Sequence, residues 1–260
     1  MSITSIKARK SVREQVSREE WEKRVDLAAC YRLVHQYGWT EMVANHISAR
    51  VPGTEDQFLI NPYGMLYEEM HASCFLKIDL DGNIVFNPTD YDVNKAGFVI
   101  HSAIHGARHD VDCVLHTHTL EGMAVSAMKC GILPIAQSSM RFGAESIAYH
   151  DFEGQALDLD ERERLVRDLG DKDALILRNH GLLTCGPSIP ECFNNMFRLQ
   201  RACELQVMTL SCNTEIQLPP EEVVKHTQHM FQPTVRRRWG VMEWPALLRK
   251  LDRFDPSFRD

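Results

Sequence analysis

From Ser17 onward, polar and apolar positions alternate at helical spacing. Trp21, Val25, Ala28, Ala29 and Leu33 share one face of a helix opened by the capping box "SREE" and closed at Gly38. The period then changes. "ISARV", "QFLINP", "CFLKIDL" and "NIVFN" are short β-type runs separated by Pro, Gly and Asp, and "DLDGN" reads as a hairpin turn, so this stretch predicts antiparallel sheet. A helix follows from about Asn94 to Arg108, then the strand "CVLHTH", a helix through "EGMAVSAMK", and the β-type runs "ILPIA" and "SIAYH". "LDERERLVRDLG" is an amphipathic helix closed by Gly170, and "ALILRNHGLLTCG" is a strand that turns at "NHG" and runs on. A second capping box with Pro190 in its first turn opens a helix long and apolar enough to lie across a sheet. Residues 213 to 238, with "LPPEE" and "QPTVRRR", read as a linker or surface excursion before a short terminal helix in "EWPALLRKLDRF". Helices that alternate with a mostly antiparallel sheet predict a layered α/β domain over residues 19–212. Residues 1–18 are an N-terminal extension, and 213–260 a C-terminal one whose helix packs on the domain.

Composition narrows the function classes. At 260 residues and 44% hydrophobic, the chain can bury a large core. A net charge of −7 with both signs interspersed supplies no field for nucleic acid or an anionic membrane, and no apolar run approaches the roughly 18 residues of a membrane span. The start "MSITSIKARKSVREQ" has charges where a signal peptide has its apolar stretch, so a cytoplasmic location is expected. The eight cysteines form no C-x-x-C pair and no secreted framework, and read as buried, reduced thiols.

The candidate chemistry lies in the histidines. In "DCVLHTHTLEG", His116 and His118 are two apart on a strand and face the same side, about 7 Å apart along it. The spacing alone is a cheap pattern, but the pair ends an apolar strand just before a helix, where sites in α/β sheets open. His180 stands in a like setting at the "NHG" turn, beside a glycine that allows a sharp bend. Three neutral imidazoles leave the full charge on a divalent ion and keep a position free for substrate. His101 and His105 fall among apolar residues on a helix and read as core, and His226 and His229 need no role.

Together "NHISAR", "INPYGMLYEEM", "NKAGFVIHSAIH", "DVDCVLHTHT", "AVSAMKCGILPI", "LILRNHGLLTCG" and "ACELQVMTL" resemble the class II aldolase/adducin family, most closely its adducin-like branch. The resemblance implies a three-layer α/β/α fold around a mixed, mostly antiparallel sheet. It also implies a homotetramer with active sites at subunit boundaries, and a divalent metal, zinc foremost with iron or manganese as alternatives, on His116, His118 and His180. In the family's sugar-phosphate enzymes a glutamate four residues before the histidine matching His101 moves the proton; here that position is Gly97. Glu69, Asp90, Asp92, Glu121 and Glu145 are carboxylates available as substitutes, and Tyr149 is a candidate proton donor; Tyr149 and Glu145 are taken as the catalytic candidates. The phosphate cradle departs as well, with Asn45-His46, Tyr63-Gly64 and Lys95-Ala96 in its places. His46, Tyr63, Gly64 and Lys95 are therefore expected to meet a small substrate that carries no phosphate. The leading expectation is a metal-dependent lyase, by retro-aldol cleavage or decarboxylation of a small oxygenated carbon acid through a stabilised enolate. An iron-dependent oxygenase on the same three histidines and a non-catalytic adducin-like binding protein are the alternatives.

Overall fold

Ser17 accepts a hydrogen bond from the Glu20 amide at 3.1 Å and opens α1 (Arg18–Gln36), which Gly38 ends in the left-handed region at φ +73°. The structure is a computed structural model that describes residues 10–143, 145–154, 160–232 and 234–260, with the side chains of Lys95 and Ala96 left out. Among these residues eight strands form one sheet. In chain order they are β1 (His46–Arg50), β2 (Gln57–Ile60), β3 (Leu76–Asp79), β4 (Ile84–Phe86), β5 (Cys113–Thr117), β6 (Ile147–His150), β7 (Ala174–Leu177) and β8 (Gly181–Gly186). Across the sheet the order is β4-β3-β2-β1-β5-β8-β7-β6, antiparallel throughout except for the β6–β7 pair. The sheet is mixed and mostly antiparallel, as expected.

Strand alternation sets the layers. On β5, Cys113 and Leu115 enter the core that holds Leu27 and Leu33 of α1 and Met196 and Leu199 of α5 (Ile189–Ser211). Val114 points the other way, into a second core with Ile100 and Ile104 of α2 (Lys95–Ala107) and Leu165 and Leu169 of α4 (Glu161–Leu169). Helices thus cover both faces. Each fully buried Leu or Val contributes about 1.5–3 kcal/mol relative to exposure, so the two cores commit every central strand to one register.

Three expectations are corrected. The run 132–136, "ILPIA", is not a strand: the Ile132 amide is taken by the Tyr149 hydroxyl at 3.0 Å and the Leu133 amide by Gln206 Oε1 at 2.7 Å, so side chains replace a ladder. The helix expected through "EGMAVSAMK" is only α3 (Leu120–Ser126), capped by Thr119. The supposed linker contains α6 (Glu221–Phe231), whose first turn carries Glu221 and Glu222 behind Pro220 and whose one buried residue is Val224. The terminal helix, α7 (Trp244–Phe254), lies against α1, with Trp244 Nε1 donating to Asp26 at 2.9 Å. All eight thiols are free, and six are buried. No helix among the described residues is long and apolar enough to cross a membrane.

Candidate metal centre

The alternation that buries Val114 also turns His116, two residues on, toward the α2 side of the sheet. β1 pairs with β5 in the register His46↔His116 and Ser48↔Val114, so His46 and Ser48 share that face. His180 sits in the turn between β7 and β8. The left-handed residue there is Asn179 at φ +54°, a role asparagine tolerates. Gly181 serves a different need from the sharp bend expected of it: a Cβ would lie 2.5 Å from the Thr117 carbonyl oxygen, 3.1 Å from His118 Cδ2 and 3.4 Å from His116 Cε1. The glycine makes room for the imidazoles.

The rings of His116, His118 and His180 converge, with centroids 4.6 Å apart for the first pair and 4.8 Å from each of these to His180. Their ligand nitrogens all lie within 4.8 Å of one another. His116 Nδ1 meets the Leu182 carbonyl oxygen at 2.9 Å and His118 Nδ1 meets Glu41 Oε2 at 2.6 Å. Each partner can only accept, so each Nδ1 carries a hydrogen, and in the neutral form each ring would present a lone pair on Nε2. These two Nε2 atoms face one another at 2.8 Å. Two lone pairs so placed repel, and a shared cation resolves the conflict. Burial, reinforced by His180, His118 and His46, holds His116 well below the ordinary imidazole range, and burial next to His118 pushes His180 down to about 4. Both rings therefore stay neutral and able to ligate near neutrality. The donor set fits a divalent transition metal, and the backbone and carboxylate partners behind His116 and His118 are the kind that orient metal-binding imidazoles.

His46 borders the cluster, its centroid 5.4 Å from that of His116, and its ring lies across the backbone of Gly97 at the start of α2. On its other side it meets His101 at 4.5 Å. His101 and His105 share the Ser48 hydroxyl at 2.6 and 2.7 Å, and both are fully buried. His46 Nδ1 is buried with no partner among the described residues, as are both polar atoms of the preceding Asn45 amide.

The other sequence-derived candidates are placed as follows. Tyr63 is half-exposed, its amide donating to the Asp92 carbonyl at 2.8 Å, and Gly64, at φ +118°, is covered by the Tyr91 ring. Lys95 opens α2, but its side chain lies outside the described residues. The Tyr149 hydroxyl accepts from the Ile132 amide, and its ring lies 4.4 Å beneath the Arg178 guanidinium. Glu145 accepts from Gln232 at 3.1 Å and lines a cavity of about 270 Å³ with Arg141 and Asp173. Neither touches the three histidines of its own chain in any described contact. Glu69 caps Leu66, Asp92 bonds the Val93 amide, Glu121 accepts from Gln200, and Asp90 is exposed. The carboxylate that does meet the cluster is Glu41, absent from the sequence reading. No spacing signal joins residues 41 and 118; only the short bridge Glu41↔Ala44 ahead of β1 carries it there.

Fold and site together define a histidine-centred α/β protein of the aldolase type. Residues 25–207 match the profile of the Class II Aldolase and Adducin N-terminal domain, and the chain belongs to that family. A protein of Pseudomonas aeruginosa whose name assigns it provisionally to aldolase class 2 is 51% identical over 251 residues, 95% of this chain and 96% of that protein. Alpha-adducin of Rattus norvegicus is 40% identical over 92% of this chain, a match that spans 34% of the adducin. The crystal structure of an aldolase II superfamily protein from Pseudomonas syringae superposes with a TM-score of 0.90 at 50% identity, over 96% of this chain and 100% of that one.

Proposed function

We propose that the chain is a metal-dependent lyase acting on a small, non-phosphorylated, oxygenated carbon acid by retro-aldol cleavage or decarboxylation. The observation that carries this is the pair of lone-pair nitrogens on His116 and His118, each locked by a partner on its Nδ1, with His180 closing the triangle. His116, His118 and His180 would hold a divalent cation, zinc foremost, with Glu41 and the Leu182 carbonyl fixing two of the three rings. When bound, the ion supplies Lewis-acid stabilisation of negative charge developing on a substrate oxygen.

The chain's own residues shape what is taken. His46, whose Nδ1 has no partner among the described residues, and the Tyr63-Gly64 turn would meet the substrate together with Lys95, and these larger groups in place of small hydroxyl donors favour a carboxyl or hydroxyl over a phosphate. The ring of His46 fills the place of a side chain at position 97, so proton movement does not run through a carboxylate there. Glu145 and Tyr149 are engaged within their own chain, which leaves them a proton-handling part only across a boundary between copies in a homotetramer. A cytoplasmic location accords with the free thiols.

The test is to incubate zinc-loaded protein with a panel of short hydroxy and keto acids and measure released aldehyde or carbon dioxide. Turnover that vanishes in His180→Ala supports the reading. Zinc-loaded protein that turns over phosphorylated sugars and none of the free acids contradicts it.

A further inference from the structure

Arginines from three parts of the chain crowd one indole. The guanidinium carbons of Arg236, Arg237, Arg198 and Arg141 lie 4.7, 5.2, 5.6 and 6.0 Å from the ring centroid of Trp239. Arg141 ends the short 3₁₀ turn Ser139–Arg141, Arg198 is midway along α5, and Arg236 and Arg237 follow α6. One cation against an aromatic ring is ordinary. Four within 6.0 Å of one centroid are separated on the scale of the Debye length, about 8 Å at physiological salt, so they repel one another.

The chain compensates this charge only in part. Arg237 pairs with Glu243 at 2.8 Å, and neighbouring Arg238 reaches Glu191 at 3.9 Å. Arg141 is bonded to the side-chain oxygens of Asn194 and Asn195, which carry no charge. Arg198 and Arg236 have no carboxylate within ion-pair distance among the described residues; the contacts they make there are with aromatic rings. Burial, with Arg198 adding to it and Asp173 opposing, pushes Arg141 down to about 10. Trp239 Nε1 is a buried N–H with no acceptor among the described residues. Among the described residues the cluster carries more cationic donors than carboxylates.

We propose that Arg198 and Arg236, gathered at the Trp239 ring, form a binding site for a small soluble anion bearing more than one phosphate group. Guanidinium forks match phosphate oxygens bidentately, and clustered charges favour a multiply charged ligand over a single carboxylate. The site is separate from the histidines: α5 packs on the sheet face opposite the one to which His116 points.

Titration of the protein with pyrophosphate, followed by tryptophan fluorescence, tests this. Saturable binding is expected, weakened at least tenfold in the Arg198→Ala/Arg236→Ala double variant, weakened less in the corresponding lysine pair, and unchanged in His116→Ala. Pyrophosphate is also expected to raise the thermal midpoint of the wild-type protein above that in chloride of equal ionic strength, a readout that needs no variant to fold. The proposal is overturned by an absence of saturation in the millimolar range, by equal affinity in the double alanine variant, by loss of binding in His116→Ala, or by binding to anionic vesicles with no response to pyrophosphate.

Discussion

The ring of His46 occupies the volume that any side chain at Gly97 would need. A Cβ built on Gly97 lies 1.6 Å from His46 Cδ2 and 2.2 Å from its Nε2, far inside contact distance. The two residues, from the first strand and the start of α2, are a matched pair: an imidazole borders the three-histidine cluster because the helix above it has no side chain at that point.

Gly97→Ala is therefore expected to destabilise the fold. In an unobstructed helix alanine would gain up to about 1 kcal/mol over glycine, whereas forcing an extra methyl into packed space costs about 1–3 kcal/mol. Thermal unfolding should show a midpoint lowered by a few degrees. In His46→Gly/Gly97→Ala the alanine should cost less than it does alone, giving a favourable coupling of at least about 1 kcal/mol. Additive effects would mean that the ring does not hold that volume.

Glu41 holds His118 Nδ1 at 2.6 Å and would act on a bound metal through that ring. Replacing it with Gln or Ala should lower zinc affinity by about 10–100-fold with unchanged circular dichroism, and Asp should recover part of the loss. Equal affinity in a competition assay against a chelating dye would remove Glu41 from the site.

Gly181→Ala sets a Cβ 2.5 Å from the Thr117 carbonyl and close to both His116 and His118. Relieving that contact moves β8 or the imidazoles. The variant should lose zinc affinity more than overall stability, measured by the same dye assay beside a melt of the metal-free protein. A melt lowered in full with affinity intact would place the strain elsewhere.

Much of this was legible in the chain, and the limits have physical causes. The short apolar run that opens "CVLHTH" and the cap at Ser17 are local signals, and they located β5, buried along its whole length, and α1 directly. Three histidines at strand ends could be picked out because each lies in an apolar run. Glu41, by contrast, meets His118 across 77 positions, and the fit of His46 over Gly97 depends on how α2 settles on the sheet. The sharp turn reads in the sequence as the work of Gly181 because glycine is the commoner left-handed residue, whereas Asn179, two positions earlier, takes that conformation and Gly181 yields space. α6 was missed because the proline pair in "LPPEE" reads as a linker and only Val224 on the helix is buried.

Buried neutral histidines also set a pH dependence for the metal-free protein. Burial holds His46, His101 and His116 well below the ordinary range, pushes His105 down to about 3 and His180 to about 4. A base whose folded pKa is depressed binds more protons when unfolded, so this stability is fully present above about 6.5 and is lost as pH falls toward the folded values. Each such group contributes a slope of at most about 1.4 kcal/mol per pH unit in that window. Asp26, Asp112 and Asp173, raised by burial, act in the opposite sense, and the five imidazoles outnumber them. The thermal midpoint should fall steadily from pH 7 to pH 5. A flat profile across that range would mean that the imidazoles are not buried as described.

The most direct test of the metal centre is elemental analysis of the protein purified from zinc-supplied cells, wild type beside His116→Ala and His180→Ala. The three converging imidazoles predict one equivalent of a divalent transition metal in the wild type and almost none in either variant. Wild-type protein that takes up no metal even after equilibration with zinc, or variants that hold as much as the wild type, would contradict the account.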